Sequence, residues 1–167
     1  MSQHTENPSD TKLLNDKIKG VRVAMMTTIE VDSSLRSRPM ETIERDFDGD
    51  LWFFTLASTP KVEDVRQYEQ VNLSYSKPDD NLFVSVSGTA QLVRDRHKIK
   101  ELWKPMLKAW FPGGEDDPDL ALLKITVSSA EYWDAPSGRM GALYSAIKSL
   151  ATGAKDPGGE HKKLDLQ

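Results

Sequence analysis

The feature that most constrains this fold is a two-residue hydropathy period that returns through the middle of the chain. In residues 82–93, LFVSVSGTAQLV, apolar and small polar side chains alternate, and in 21–29 Val21, Val23 and Met25 alternate with more polar neighbours. Successive side chains of a strand point to opposite faces, so this pattern predicts strands with one face buried and one solvated. The run 51–56, LWFFTL, is apolar almost throughout, which predicts a strand covered on both faces. Residues 35–45 and 71–76 read as further strands, and a last strand pair is expected at about 120–128 and 131–134. Pro39 predicts that 35–45 is irregular or bulged. Asp48-Gly49 predicts a hairpin from that run into 51–56, residues 77–81 supply another turn, and Gly88 marks a bulge or kink.

Helical periodicity interrupts the strands three times. Leu13, Leu14 and Ile18 share one face of a short helix over 11–19, with Ser9 or Asp10 as cap and Gly20 as stop. Residues 60–69 begin with Thr59 at the N-cap and Pro60 at the first helical position, and Val62, Val65 and Tyr68 recur every three residues. A third helix is expected over about 95–110, where Ile99, Leu102, Trp103, Met106, Leu107 and Trp110 form an apolar stripe ended by Pro112-Gly113-Gly114. Hairpin-joined strands predict an antiparallel sheet, and six or seven of them close into a barrel that removes exposed edges. The expected fold class is thus mainly β with peripheral helices.

A chain of 167 residues predicts one domain, placed here at 11–152, between flexible segments at 1–10 and 153–167. The second of these, from Gly153 onward, is too polar to pack. The absence of cysteine excludes disulfides and thiolate metal sites, and with His4, His97 and His161 scattered no metal site is expected. A net charge of −4 argues against a nucleic-acid partner. The first residues, MSQHTENPSDTK, have no apolar core, and no stretch approaches the roughly 20 apolar residues of a membrane span. These features predict a cytoplasmic protein without a membrane partner.

Functional chemistry concentrates after the apolar run, where Thr55, Ser58, Thr59 and Lys61 fall within seven residues. Taken locally they read first as a strand-to-helix turn with a good cap, and the same geometry also suits an anion site. A helix start presents free N–H groups, and the hydroxyls add donors. Lys61 decides for the anion, because a cation in the first turn opposes the helix dipole unless a negative charge joins it. No Walker loop or glycine-rich dinucleotide turn is present. Alternation puts Arg36, Arg38 and Met40 on one face, and a hairpin at Asp48-Gly49 would carry Arg38 toward the same anion. Guanidinium, ammonium and hydroxyls together suit a phosphate monoester. Trp110 and Trp133 are harder to bury in a small barrel and could flank a flat ring or form a dimer surface.

The ordered segments SRPM (37–40), DGDLWFFT (48–55), STPK (58–61), NLSYSKP (72–78), SGTAQLV (87–93) and AEYWD (130–134) resemble the pyridoxamine 5'-phosphate oxidase-like FMN-binding split barrels, in particular their general stress protein branch. The resemblance spans about residues 12–135. It implies a six-stranded antiparallel split β-barrel that forms a homodimer with FMN at the subunit interface. It further implies that Arg38 and Lys61 hold the FMN phosphate, with Thr55, Ser58 and Thr59 between them. Backbone at Pro39, Met40, Glu41 and Phe54 would lie along the isoalloxazine, and Trp110 or Trp133 would wall it. Pro60 stands where the oxidases carry an arginine, and their closing Arg-x-His signature is absent. The implied activity is therefore flavin redox chemistry on an unidentified small molecule rather than pyridoxamine phosphate oxidation. The alternatives are a non-catalytic flavin-binding carrier or sensor, or the same barrel holding FAD or a deazaflavin. No catalytic acid or base is identified.

Overall fold

Seven antiparallel strands build the sheet of this protein, a computed structural model that describes residues 8–135 and 159–166. They are β1 (Val23–Ile29), β2 (Leu35–Glu41), β3 (Asp50–Leu56), β4 (Gln70–Lys77), β5 (Leu82–Val93), β6 (Leu120–Asp134) and β7 (Glu160–Asp165). Their order is β2-β1-β4-β5-β6-β3, with β7 added on β6. The six-stranded path is the antiparallel split barrel expected from the resemblance, and its end strands β2 and β3 are not paired with each other. Among the described residues three α-helices accompany it: α1 (Pro8–Ile18), α2 (Pro60–Gln67) and α3 (Arg96–Leu102).

The two-residue period sorts the sheet's faces, but in β1 the buried set is the opposite of the one the sequence suggested: Val23 and Met25 are 45% and 41% exposed, because the larger apolar side chains of this strand stand on the outer face. Ala24 and Met26 of β1, Val71, Leu73 and Tyr75 of β4, Val84 and Val86 of β5, and Leu123 and Ile125 of β6 fill the barrel interior with Phe53. Phe54, the next residue of β3, points the other way into a second cluster with Ile99, Leu102, Leu107, Leu120 and Leu122. β3 is therefore covered on both faces, which is why it needs an almost unbroken apolar run. Leu14 and Ile18 of α1 join the barrel core, and Gly20, at φ +81°, turns the chain out of that helix into β1.

Several local expectations are corrected. Asp48-Gly49 closes no β2–β3 hairpin, because among the described residues β2 pairs only with β1, and β3 pairs with β6. Gly49, at φ +107°, instead turns the chain into β3, and its carbonyl accepts from the Val127 amide. Pro39 introduces no bulge: β1–β2 register runs unbroken from Val23↔Glu41 to Ile29↔Leu35. An edge strand tolerates proline because one row of its amides has no partner to lose. The predicted helix 95–110 splits at Pro105 into α3 and a 3₁₀ turn, Pro105–Ala109, since proline disfavours helix at the residue before it. The expected pair at 120–128 and 131–134 is one strand of 15 residues, β6. The irregularity expected at Gly88 is present as a register shift between Ser87 and Gly88. The extra residue is Ser128 on β6, and a Cβ at Gly88 would come within 2.3 Å of the Thr126 carbonyl oxygen.

Both ends of the chain are more ordered than expected. The segment 153–167 contains β7, with Leu164 and Leu166 buried in the barrel core. Its polarity misleads because one edge strand needs only alternate residues to be apolar; Glu160, His161, Lys163 and Asp165 are exposed. At the other end α1 begins at Pro8, before its expected caps, and Asp10 is buried and accepts from Lys162 Nζ at 3.1 Å. Residues 1–7 and 136–158, parts of the predicted flexible segments and of the predicted domain, lie outside the described residues.

Candidate anion site at the start of the second helix

β3 delivers the chain to α2 through a tight turn in which Thr59 bonds twice to Leu56. The Thr59 amide donates to the Leu56 carbonyl at 3.1 Å, and its hydroxyl donates to the same oxygen at 2.8 Å. Thr59 occupies the N-cap, yet its side chain caps no helical amide, so the sequence places the cap correctly and mistakes its role. Thr55 is buried, with its hydroxyl 3.3 Å from that of Thr59. Ser58 turns the other way: its amide and hydroxyl both donate to Asp119, at 3.1 and 2.6 Å. Pro60 has no N–H and the Val62 amide donates to the Thr59 carbonyl at 3.0 Å, so the first turn offers an outside acceptor few backbone donors and the side-chain cations carry the site.

Arg38 reaches this helix from the side. It sits on β2 opposite Met26, and its guanidinium donates to Thr28 Oγ1 at 2.7 Å, Asp64 Oδ2 at 3.0 Å and Glu30 Oε1 at 3.3 Å. A guanidinium has five N–H donors, so these three bonds leave two. Thr28 is fully buried and in turn donates to Asp64 at 3.3 Å. Glu30 is also held by Arg36 Nε at 2.7 Å. Lys61, one helical turn before Asp64, is part-buried. Burial, and then the Arg38 charge, hold its ammonium below the usual pKa of 10.5. Among the described residues it forms no salt bridge. Two cations thus converge where α2 begins, and among the described residues only Arg38 of the two has carboxylate partners.

The predicted residues divide. Arg38, Lys61, Thr55 and Thr59 gather at the α2 start, with Ser58 beside them on Asp119. Met40 and Phe54 are buried, and Phe54 packs against Trp103 and Phe111 with ring centroids 5.6 and 6.0 Å away. Pro39 is exposed on the outer face beside Met25, and Glu41 accepts from Arg22 at 3.3 Å. Glu41 and Trp110 line a separate groove of about 730 Å³, together with Arg45, Phe47, Trp52 and Tyr75, and neither Arg38 nor Lys61 lines it. Trp133 is on the outer face of β6, stacked on His161 at 5.2 Å. Sequence reading missed Thr28, Glu30 and Asp64. The available signals were a threonine at an inward position of β1 and an acid three residues after Lys61.

Comparison with known proteins gives a consistent result. The family model "Pyridoxamine 5'-phosphate oxidase like" matches residues 9–157. Protein bli-3 of Neurospora crassa is 30% identical over 161 residues, covering 89% of this chain and 77% of its own. A crystal structure from Jannaschia sp. CCS1, described as a general stress protein 26, superposes with a TM-score of 0.72 at 28% identity, covering 94% of this chain and 98% of that one. The general stress FMN/FAD binding protein of Xanthomonas citri superposes with a TM-score of 0.68 at 30% identity, covering 79% and 93%.

Proposed function

The chain belongs to the pyridoxamine 5'-phosphate oxidase-like family, and from that premise we propose that it is an FMN-binding flavoprotein whose flavin phosphate is held by Arg38 and Lys61. The observation that carries the reading is the convergence of these two cations at an uncapped helix start. Charged Lys61 is disfavoured there by burial and by Arg38, and a phosphate relieves both penalties at once. Arg38 keeps two donors for that phosphate, and the Thr59 hydroxyl would turn from the Leu56 carbonyl to donate to it. The similar Xanthomonas citri protein is described as binding FMN or FAD, which supports a flavin over other phosphate esters.

When bound, the flavin supplies the electron transfer. The protein's residues would bind and orient it: Arg38 and Lys61 would hold the phosphate end, and backbone at Pro39, Met40, Glu41 and Phe54 would lie along the ring, as the family resemblance implies. The function is then flavin-dependent oxidoreduction of a small molecule by a homodimer, in the cytoplasm.

Titration of the purified protein with FMN, followed by the visible spectrum, tests the binding. Saturable binding that Lys61→Ala weakens at least tenfold, about 1.4 kcal/mol, supports the phosphate site. A folded protein that binds neither FMN nor FAD refutes the flavin reading. Steady-state turnover with a nicotinamide or other donor then separates an oxidoreductase from a carrier or sensor. A deazaflavin that binds more tightly than FMN would change the cofactor and keep the site.

A further inference from the structure

Arg38 is useful to an anion only if it stays at the α2 start, and nothing in its own strand keeps it there. β2 is an edge strand, and the Arg38 side chain is 21% exposed. Its neighbour in charge is Lys61, and like charges repel. A long, rotamer-rich cation beside another cation would swing into water unless an opposite charge held it.

Two carboxylates are within reach, and they differ. Glu30 closes β1 at the turn into β2, forms the longest of the three Arg38 contacts at 3.3 Å, and is shared with Arg36 at 2.7 Å. Asp64 has a side chain only 8% exposed, lies 3.0 Å from Arg38, and is bonded to buried Thr28. Thr28 also accepts from Arg38 at 2.7 Å, so the three side chains close a triangle of hydrogen bonds. Asp64 is three residues after Lys61 on α2, so one rigid helix sets the positions of both cations.

We propose that Asp64, with Thr28, is a positioning residue that fixes the Arg38 guanidinium at the α2 start and thereby makes the site selective for a phosphorylated flavin over its unphosphorylated form. The inference rests on the flavin-phosphate reading above. Asp64 touches Arg38 rather than the ligand. Its negative charge lowers the site's potential, but the ordering of Arg38 outweighs that loss, because an unanchored guanidinium must be ordered again in every binding event.

Riboflavin carries the same ring as FMN and no phosphate, so it makes no use of Arg38. The ratio of FMN to riboflavin affinity therefore isolates the anion site from the rest of the fold. Asp64→Asn preserves shape and removes the charge. It is expected to lower that ratio at least tenfold while riboflavin affinity stays within twofold. Thr28→Val, which breaks the triangle without changing any charge, is expected to shift the ratio in the same direction. It decides the matter alone if Asp64→Asn fails to fold. If wild type prefers FMN and the folded variants keep or raise its ratio, the positioning role is overturned and the phosphate reading survives. If wild type shows no preference for FMN over riboflavin, the phosphate reading itself falls, and this inference with it.

Discussion

At the level of single residues, Lys61 combines a cost to the fold with a use in binding. Burial and the Arg38 charge lower its pKa, so its protonated form is penalised in the ligand-free fold at neutral pH. Removing it should cost binding and not stability. Lys61→Met is expected to melt no lower than wild type while losing at least tenfold in FMN affinity, which thermal denaturation and titration check together. The pH dependence follows from the same shift. The protonated ammonium binds the phosphate dianion, so affinity is full below the Lys61 pKa and is lost as pH rises through it, beginning below the ordinary 10.5. At the acid end, affinity climbs as the phosphate loses its second proton near about pH 6. Measured as the FMN to riboflavin ratio, which cancels ionisation of the shared ring, the profile should be a plateau with two falling limbs. Lys61→Met should remove the alkaline limb and leave the acid one.

At the level of elements, legibility followed the range of the interactions. α2 could be read because its signals are local: Thr59, then Pro60, then apolar residues every three positions. β5 could be read because an uninterrupted alternation is itself the burial pattern. Strand partners could not, because Asp48-Gly49 carries turn chemistry without saying which strands flank it, and β3 takes β6, about 70 residues further along, as its partner. Lys61 was legible as a cation at a helix start, while the Asp64–Thr28–Arg38 triangle joins three elements and has no sequence period. β7 was illegible for a related reason. Of its six residues, EHKKLD, only Leu164 is buried, at 1% exposure, and it lies opposite Ala130 of β6. If this strand is part of the core, Leu164→Ala should cost about 2–5 kcal/mol, the usual range for a buried leucine. Exposed Lys163→Ala should stay within about 0.5 kcal/mol. Chemical denaturation decides it, and equal small effects would mean that residues 160–165 contribute no core.

At the level of the whole molecule, the outer face of the sheet carries apolar side chains that the described residues leave exposed. Register places Pro39, Met25, Ser74, Ser85, Glu131 and Lys163 in one row across six strands, and Ser76, Phe83, Trp133 and His161 in a neighbouring row. Small hydroxyl residues in the middle keep the face shallow, while Met25, Phe83 and Trp133 stay 41–47% exposed. A sheet face with apolar outcrops suits self-association, and a stable interface needs roughly 800 Å² from each partner. Pro39 follows Arg38 in β2 and lies on this face beside Met25. A second copy docked here would therefore bring its own sheet against the strand that carries the anion site. On the homodimer proposal, light scattering should give twice the 18.8 kDa chain mass. Met25→Asp, which sets a desolvated charge into the contact, should yield monomers and lower FMN affinity together. Monomers that keep full FMN affinity would show that each chain builds its site alone, and a wild-type monomer at micromolar concentration would refute the dimer. The coupled loss is the expected outcome, because the Arg38–Lys61 pair accounts for the phosphate end of the cofactor, and in the proposed dimer the second subunit covers the rest.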